Sequence, residues 1–243
     1  MTRPNWPGAF IFDLDGVIVR STPAHILAWS HYLARFGLRL PPQQIERAML
    51  GKHNSDVARA FFGDGLPDHL ALLHGREKEK LYRELMAPRL EESLVPGVRQ
   101  FVQRHSHLPL AVASNAEPEN VRFVLEGTSL KRYFRVILTG DDVSRPKPDP
   151  EIYLKAATLL GVSPYECVVF EDSQTGIEAA RAAGMVVVGL KTTSSELAGA
   201  AVLIDDFDDP ALEMWLQSYR LAKATGAKPE GTGRSDSAGP ASA

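Results

Sequence analysis

Two aspartates, Asp13 and Asp15, stand one residue apart at the end of the apolar run Ala9–Phe12 and are followed by Gly16. Ligands of an open α/β sheet bind beyond the carboxyl ends of its strands, so two acids delivered there suit a reaction centre. The glycine lets backbone approach closely. Taken alone, the same residues equally describe a strand end followed by a solvated acidic turn. Three other segments bear on the choice. Ser114-Asn115 closes another apolar run just before a helical pattern, and helix N-termini favour anions, although Ser114 could serve simply as an N-cap. Glu171-Asp172-Ser173 closes a third run. Lys147 sits between Pro146 and Pro148, which hold it on a stiff, extended segment. Four carboxylates gathered in one crevice would repel one another and resist desolvation. A hard cation with oxygen ligands resolves the conflict, and Mg²⁺ is the usual choice where a phosphate completes its shell. Lys147 and backbone amides would then face phosphoryl oxygens.

These residues need a scaffold that brings four strand ends together. Short apolar runs predict buried parallel strands at Ala9–Phe12, Leu110–Ser114, Val136–Thr139, Cys167–Phe170, Val186–Leu190 and Val202–Ile204. Between them lie helical patterns: Glu117–Glu126 with Pro118 in its first turn, a helix capped by Asp149 with Pro150 at its first position and closed by Gly161, and Gln174–Ala183 closed by Gly184. Such alternation predicts an α/β fold, a doubly wound parallel, Rossmann-like sheet with helices on both faces. Residues 21–90 break the alternation with four successive helices, Ala24–Phe36, Gln43–Leu50, Ser55–Phe62 and Asp68–Met86. In the first of these, Ile26, Trp29, Leu33 and Phe36 fall on one face. The block leaves the core near Val19 and returns near Pro96-Gly97, as an inserted helical cap. The expected organisation is a core of residues 1–20 and 91–222, a cap of residues 21–90, and a mobile tail at 225–243, where Gly, Ser, Pro and Ala dominate.

Together these motifs resemble the haloacid dehalogenase superfamily, in its branch of small phosphatases and β-phosphoglucomutases with an inserted helical cap. The similarity rests on Asp13-Leu14-Asp15-Gly16-Val17, Ser114-Asn115, Lys147 within Pro-Lys-Pro-Asp-Pro, and Phe170-Glu171-Asp172-Ser173 followed by Gly176-Ile177, in the family's order and spacing. The resemblance implies that Asp13 attacks phosphorus to form an aspartyl-phosphate, and that Asp15 serves as general acid and then as general base. It implies Mg²⁺ held by the Asp13 carboxylate, the Asp15 carbonyl and Asp172, with Glu171 in or next to the ligand set. Ser114 and Lys147 correspond to the phosphate clamp, with Asn115 adding a backbone donor. Dehalogenases lack the second aspartate, so Asp15 favours phosphoryl transfer. Cap residues His25, Lys52 and His53 fall where such caps contact substrate, and His25 aligns with a histidine that β-phosphoglucomutase uses to gate its acid/base. Leu50 and Asn54 stand where that mutase carries a basic pair, and Arg20 stands where the branch usually has an acid. Hydrolysis of a small phosphorylated metabolite, a sugar phosphate or a phosphoglycolate-like compound, is therefore expected ahead of mutase chemistry. A non-catalytic binding protein would need neither Asp13 nor Asp15. Residues near 20 and 91–96 are the candidate hinges for cap closure.

Composition sets the outer limits. With 243 residues, 44% of them hydrophobic and 23% charged, the chain can bury a substantial core. A formal net charge of −3 gives no electrostatic reason to expect nucleic acid. No apolar stretch approaches the roughly 20 residues of a membrane span, and the N-terminus lacks the apolar core of a signal peptide. The one cysteine, Cys167, forbids an internal disulfide and reads as a packed, inert thiol. A cytoplasmic monomer is the simplest expectation.

Overall fold

The computed structural model describes residues 7–49 and 52–225, with side chains through Arg220. Leu50 and Gly51 of the cap, and residues 226–243 of the expected tail, lie outside them. The strands are β1 (Ala9–Phe12), β2 (Leu110–Ala113), β3 (Val136–Leu138), β4 (Cys167–Glu171), β5 (Val186–Leu190) and β6 (Val202–Ile204). All pair in parallel, in the order β3-β2-β1-β4-β5-β6. The order reverses at β1, which puts the first strand in the middle and its carboxyl end at the crevice where such sheets bind ligands.

Strand alternation sorts the core into two layers. Phe10 and Phe12 point to one face and join Phe101, Phe134, Phe170 and Phe207, while Ala9 and Ile11 point to the other and join Ile152, Val169 and Ile177. Phe12 stacks on Phe170 with ring centroids 4.8 Å apart. Helices α5 (Val98–Arg104), α6 (Pro118–Gly127) and α9 (Pro210–Thr225) cover the phenylalanine face, and α7 (Glu151–Leu160) and α8 (Gln174–Ala182) cover the other. Both faces being covered, β1, β2 and β4 are buried at every position, which is why they read as unbroken apolar runs. Cys167 is packed in β4 as expected, and burial pushes its thiol up to about 12.

The insertion consists of α1 (Thr22–Ala34), α2 (Pro42–Met49), α3 (Asn54–Phe62) and α4 (Asp68–Met86), packed around Trp29, Leu33, Ile45, Val57 and Tyr82. Its two crossings to the core lie side by side. Val19 bridges Leu94 in antiparallel fashion, Arg20 N donates to Ser93 O at 2.7 Å and Val95 N donates to Ile18 O at 3.0 Å. No helix among the described residues is long and apolar enough to cross a membrane.

Several boundaries differ from expectation. α1 starts earlier, at Thr22 with Pro23 in its first turn, and ends before Phe36, which is 51% exposed. α7 starts at Glu151 rather than Pro150, because Pro150 takes the N-cap place while Asp149 Oδ1 still accepts from Glu151 N at 3.0 Å. α6 is N-capped by Glu117, so Ser114 is no cap. The closing helix α9 has no counterpart in the expected elements, although Leu212, Leu216 and Tyr219 repeat at helical spacing on its buried side.

Phe12 carries the core one residue before Asp13. Phe12→Ala is expected to lower the unfolding free energy by about 3–5 kcal/mol in urea titrations, the usual range for emptying a packed phenylalanine site. A loss below about 1 kcal/mol would contradict close packing around this ring.

Candidate active site

Four strand ends converge as the sequence implies. Asp13 follows β1, Ser114 follows β2, Lys147 lies in the loop between β3 and α7, and Glu171 and Asp172 end and follow β4. At their centre is the Lys147 ammonium. It donates to Asp13 Oδ1 at 2.5 Å, to Glu171 Oε1 at 2.7 Å and to the Ala113 carbonyl at 2.9 Å. It also lies 4.8 Å from the centre of the Tyr153 ring. Instead of the expected extended segment, the lysine is in a turn that contains a cis Lys147–Pro148 bond and is closed by Asp149 N donating to Pro146 O at 3.0 Å, and its own N–H donates to Asn115 Oδ1 at 3.3 Å. Burial works against its charge, but Asp13 and Glu171 outweigh that and hold the ammonium above its usual value.

Glu171, expected in or next to the metal ligand set, is surrounded by donors of the protein itself. Its Oε1 accepts from Lys147 and from the Tyr153 hydroxyl at 2.6 Å, and its Oε2 from Asp172 N, Ser173 N and Ser173 Oγ at 3.0–3.2 Å. Five donors occupy the carboxylate, which tucks under the N-terminus of α8. A Cβ on Gly176 would stand 1.9 Å from Glu171 Oε1, so that first turn must be glycine to leave room. Burial opposes ionisation of Glu171, but Lys147 and the hydrogen bonds win and hold it below the usual carboxylate range. The residue anchors Lys147.

Asp13 and Asp172 have no such supply of donors. Burial, with Glu171 and Asp15 nearby, pushes the Asp13 carboxyl up to about 7 against the pull of Lys147. Asp172 is driven well above its usual value by burial and by the charges of Glu171 and Asp13, and is relieved only by a hydrogen bond from Thr193 Oγ1. Asp172 packs against the turn after Asp15, where a Cβ on Gly16 would lie 1.8 Å from Asp172 Oδ2 and where φ is +73°. Asp13, which shares the one Lys147 ammonium with Glu171, and the buried Asp172 beside a glycine backbone fit a hard divalent cation. No group of three His, Cys, Asp or Glu side chains among the described residues forms a ready cation cage. Oxygens of backbone, water and phosphate would complete the shell, as suits Mg²⁺.

The remaining site residues line one cavity of about 1170 Å³ between core and cap. Ser114 is buried at its floor, and its Oγ accepts from Ala116 N at 3.2 Å. The Asp15 side chain turns toward the cap, with Oδ1 3.9 Å from His25 Nε2. Lys52 and His53 are exposed at the cavity wall, where His53 N-caps α3. Tyr153 and Thr193 were missed by the sequence reading. Thr193 lies just past β5, so the strand-end rule that found the others points to it as well. Tyr153, in the first turns of α7, carries no comparable mark. The polar cluster of Lys78, Glu79, Arg83 and Asn120 on the cavity wall was also missed.

A sequence profile for the family described as haloacid dehalogenase-like hydrolase matches residues 10–190. The chain is 34% identical over 181 residues to fructose-1-phosphate phosphatase YqaB of Escherichia coli (strain K12), covering 74% of this chain and 95% of that one. It is 28% identical over 226 residues to β-phosphoglucomutase of Bacillus subtilis (strain 168), covering 89% and 98%. A HAD hydrolase of family IA, variant 3, from Entamoeba histolytica superposes with a TM-score of 0.77 at 26% identity, covering 88% of this chain and 99% of that one. With its parallel sheet, its inserted helical cap and these relatives, the chain belongs to the haloacid dehalogenase-like hydrolase family.

Proposed function

We propose that this chain is a Mg²⁺-dependent phosphatase of a small phosphorylated metabolite with a sugar-like body, working through an aspartyl-phosphate on Asp13. The observation that carries the reading is the Lys147 ammonium, held by Asp13 and Glu171 on the floor of a cavity roofed by the cap. Lys147 fixes Asp13 Oδ1, and Oδ2 remains to attack phosphorus. The Asp13–phosphorus bond forms as the bond to the leaving oxygen breaks, and Asp15 gives that oxygen its proton. Asp15 then takes a proton from water as the water oxygen attacks phosphorus and releases Asp13. Ser114, the Asn115 backbone and Lys147 hold the phosphoryl oxygens. Asp13, Asp172 and the Asp15 carbonyl would hold Mg²⁺, which would supply positive charge to the phosphoryl group. The fructose-1-phosphate phosphatase relative supports the sugar phosphate class.

A β-phosphoglucomutase-like isomerase is the second reading, favoured by His25 facing Asp15 and by the Bacillus relative. Against it, Asn54 is tied to the acid Glu79 at 2.6 Å and offers no cationic grip on a second phosphate. The proposed cap is residues 21–90, swinging on its paired crossings, with Mg²⁺ and the small substrate as partners.

Phosphate release from an aryl phosphate and a sugar phosphate panel is expected with Mg²⁺ and is expected to vanish in EDTA. No turnover in any Mg²⁺ sample would sink the phosphatase reading, and glucose 6-phosphate formed from β-glucose 1-phosphate with a bisphosphate primer would favour the mutase. Asp13→Asn is expected to lower kcat by more than about 10⁴-fold with the fold intact by circular dichroism. Near-native turnover in that variant would remove Asp13 as nucleophile. Gly16→Ala, which pushes Asp172 away, is expected to raise the Mg²⁺ concentration for half-maximal activity about 10- to 100-fold. An unchanged Mg²⁺ titration would place the cation elsewhere.

A further inference from the structure

Asn120 sits in the first turn of α6, on the core, and is 4% exposed. Both ends of its amide go to the cap. Its Nδ2 donates to Glu79 Oε2 at 2.7 Å, and its Oδ1 accepts from Arg83 Nη1 at 2.6 Å, both partners lying on α4. Glu79 is itself buried, and its other oxygen accepts from Asn54 Nδ2 at 2.6 Å and Lys78 Nζ at 2.5 Å. Lys78, also buried, stands 3.2 Å from His25 Nδ1. An ammonium only donates, and Glu79 Oε2 is farther from Nδ1, at 3.8 Å, so we assign Nδ1 as the acceptor from Lys78 and the ring hydrogen to Nε2. Nε2 is the atom directed at Asp15. Tyr82 stacks on the His25 ring at 3.9 Å and fixes its plane. A chain of hydrogen bonds thus runs from a core helix through the cap to the His25 ring, whose Nε2 ends 3.9 Å from Asp15 Oδ1, one small closing movement short of a hydrogen bond.

We propose that Asn120 is a positioning residue, a core amide that docks on Glu79 and Arg83 and, through Lys78, aims the His25 Nε2–H at Asp15. The proton donor is then aligned only while the cap sits on the core. The geometry argues for this beyond simple packing. An asparagine used only to fill space has no need to give its donor to a carboxylate and its acceptor to a guanidinium of another domain. Parting α4 from α6 breaks both bonds together and removes the support of Glu79 on that side. Glu79 then holds Lys78 less firmly, and the histidine loses the group that sets its tautomer.

The inference rests on the phosphatase reading and on Asp15 as the acid, and leaving-group dependence tests it separately. Asn120→Asp is isosteric, keeps the acceptor for Arg83 and turns the donor facing Glu79 into a second carboxylate. Nitrophenolate departs without a proton, whereas phenolate gains from one, and kcat/KM reports the step in which the leaving group departs. Across substituted phenyl phosphates, the loss in kcat/KM for phenyl phosphate is expected to exceed that for 4-nitrophenyl phosphate by about tenfold. Equal losses along the series, or no loss at all, would overturn the proposal. Arg83→Met removes the group that orients the amide without touching α6, and is expected to steepen the same dependence with an unchanged melting temperature. If Asn120→Asp does not fold, a flat series in Arg83→Met overturns the proposal alone. Wild-type protein that turns over no member of the series would instead overturn the phosphatase reading beneath it.

Discussion

The arrangement of the site depends on one buried cation. An ammonium has three hydrogens, and those of Lys147 go to Asp13 after β1, to the Ala113 carbonyl ending β2, and to Glu171 ending β4. One side chain therefore pins the carboxyl ends of three neighbouring strands to a common point. A surface ion pair would contribute about 0–1 kcal/mol, but removing one partner of a buried pair costs about 3–5 kcal/mol because a bare charge is left behind. The lysine is both a member of the proposed phosphate clamp and a condition for the strand ends to lie where they do. Glu171 and Tyr153 follow from it, since an ammonium in so dry a place needs a counter-charge, and the counter-charge needs donors of its own.

The strand ends were legible because a parallel sheet turns a one-dimensional rule into a place. An apolar run followed by Asp13-Leu14-Asp15 or by Asp172-Ser173 puts polar atoms at one rim, and the sheet order decides only which rims are neighbours. Lys147 was visible through its flanking prolines. Burial was harder to read. Lys78 and Glu79 stand within Arg76-Glu77-Lys78-Glu79-Lys80, where charge on charge looks like a solvated helix face. The packing of α4 against α1, α3 and α6 separates the buried Lys78 and Glu79 from the exposed Glu77 and Lys80. Asn120 gave no signal, because an amide in a first helical turn ordinarily meets water.

The fold was legible to the level of elements and less so at their edges. All six strands and the inserted helices are present, with shifts of one or two residues at ends governed by caps. Glu171 shows a different gap. A carboxylate beside Asp172 reads from sequence as in or next to the ligand set, and nothing in the sequence shows the five protein donors that reach it. Sequence spacing gives proximity, and it does not give the count of hydrogen bonds that decides what an acid does.

The paired crossings at Val19 and Leu94 have a consequence for how this enzyme could change over generations. Everything between them is one uninterrupted stretch of gene, and it enters and leaves the core at a single seam. A different set of helices could be exchanged there as a cassette without altering any residue around Lys147. Such a replacement would still have to offer an acid and a guanidinium to Asn120, and a histidine to Asp15. The core would thus admit many roofs while imposing the same few terms on each.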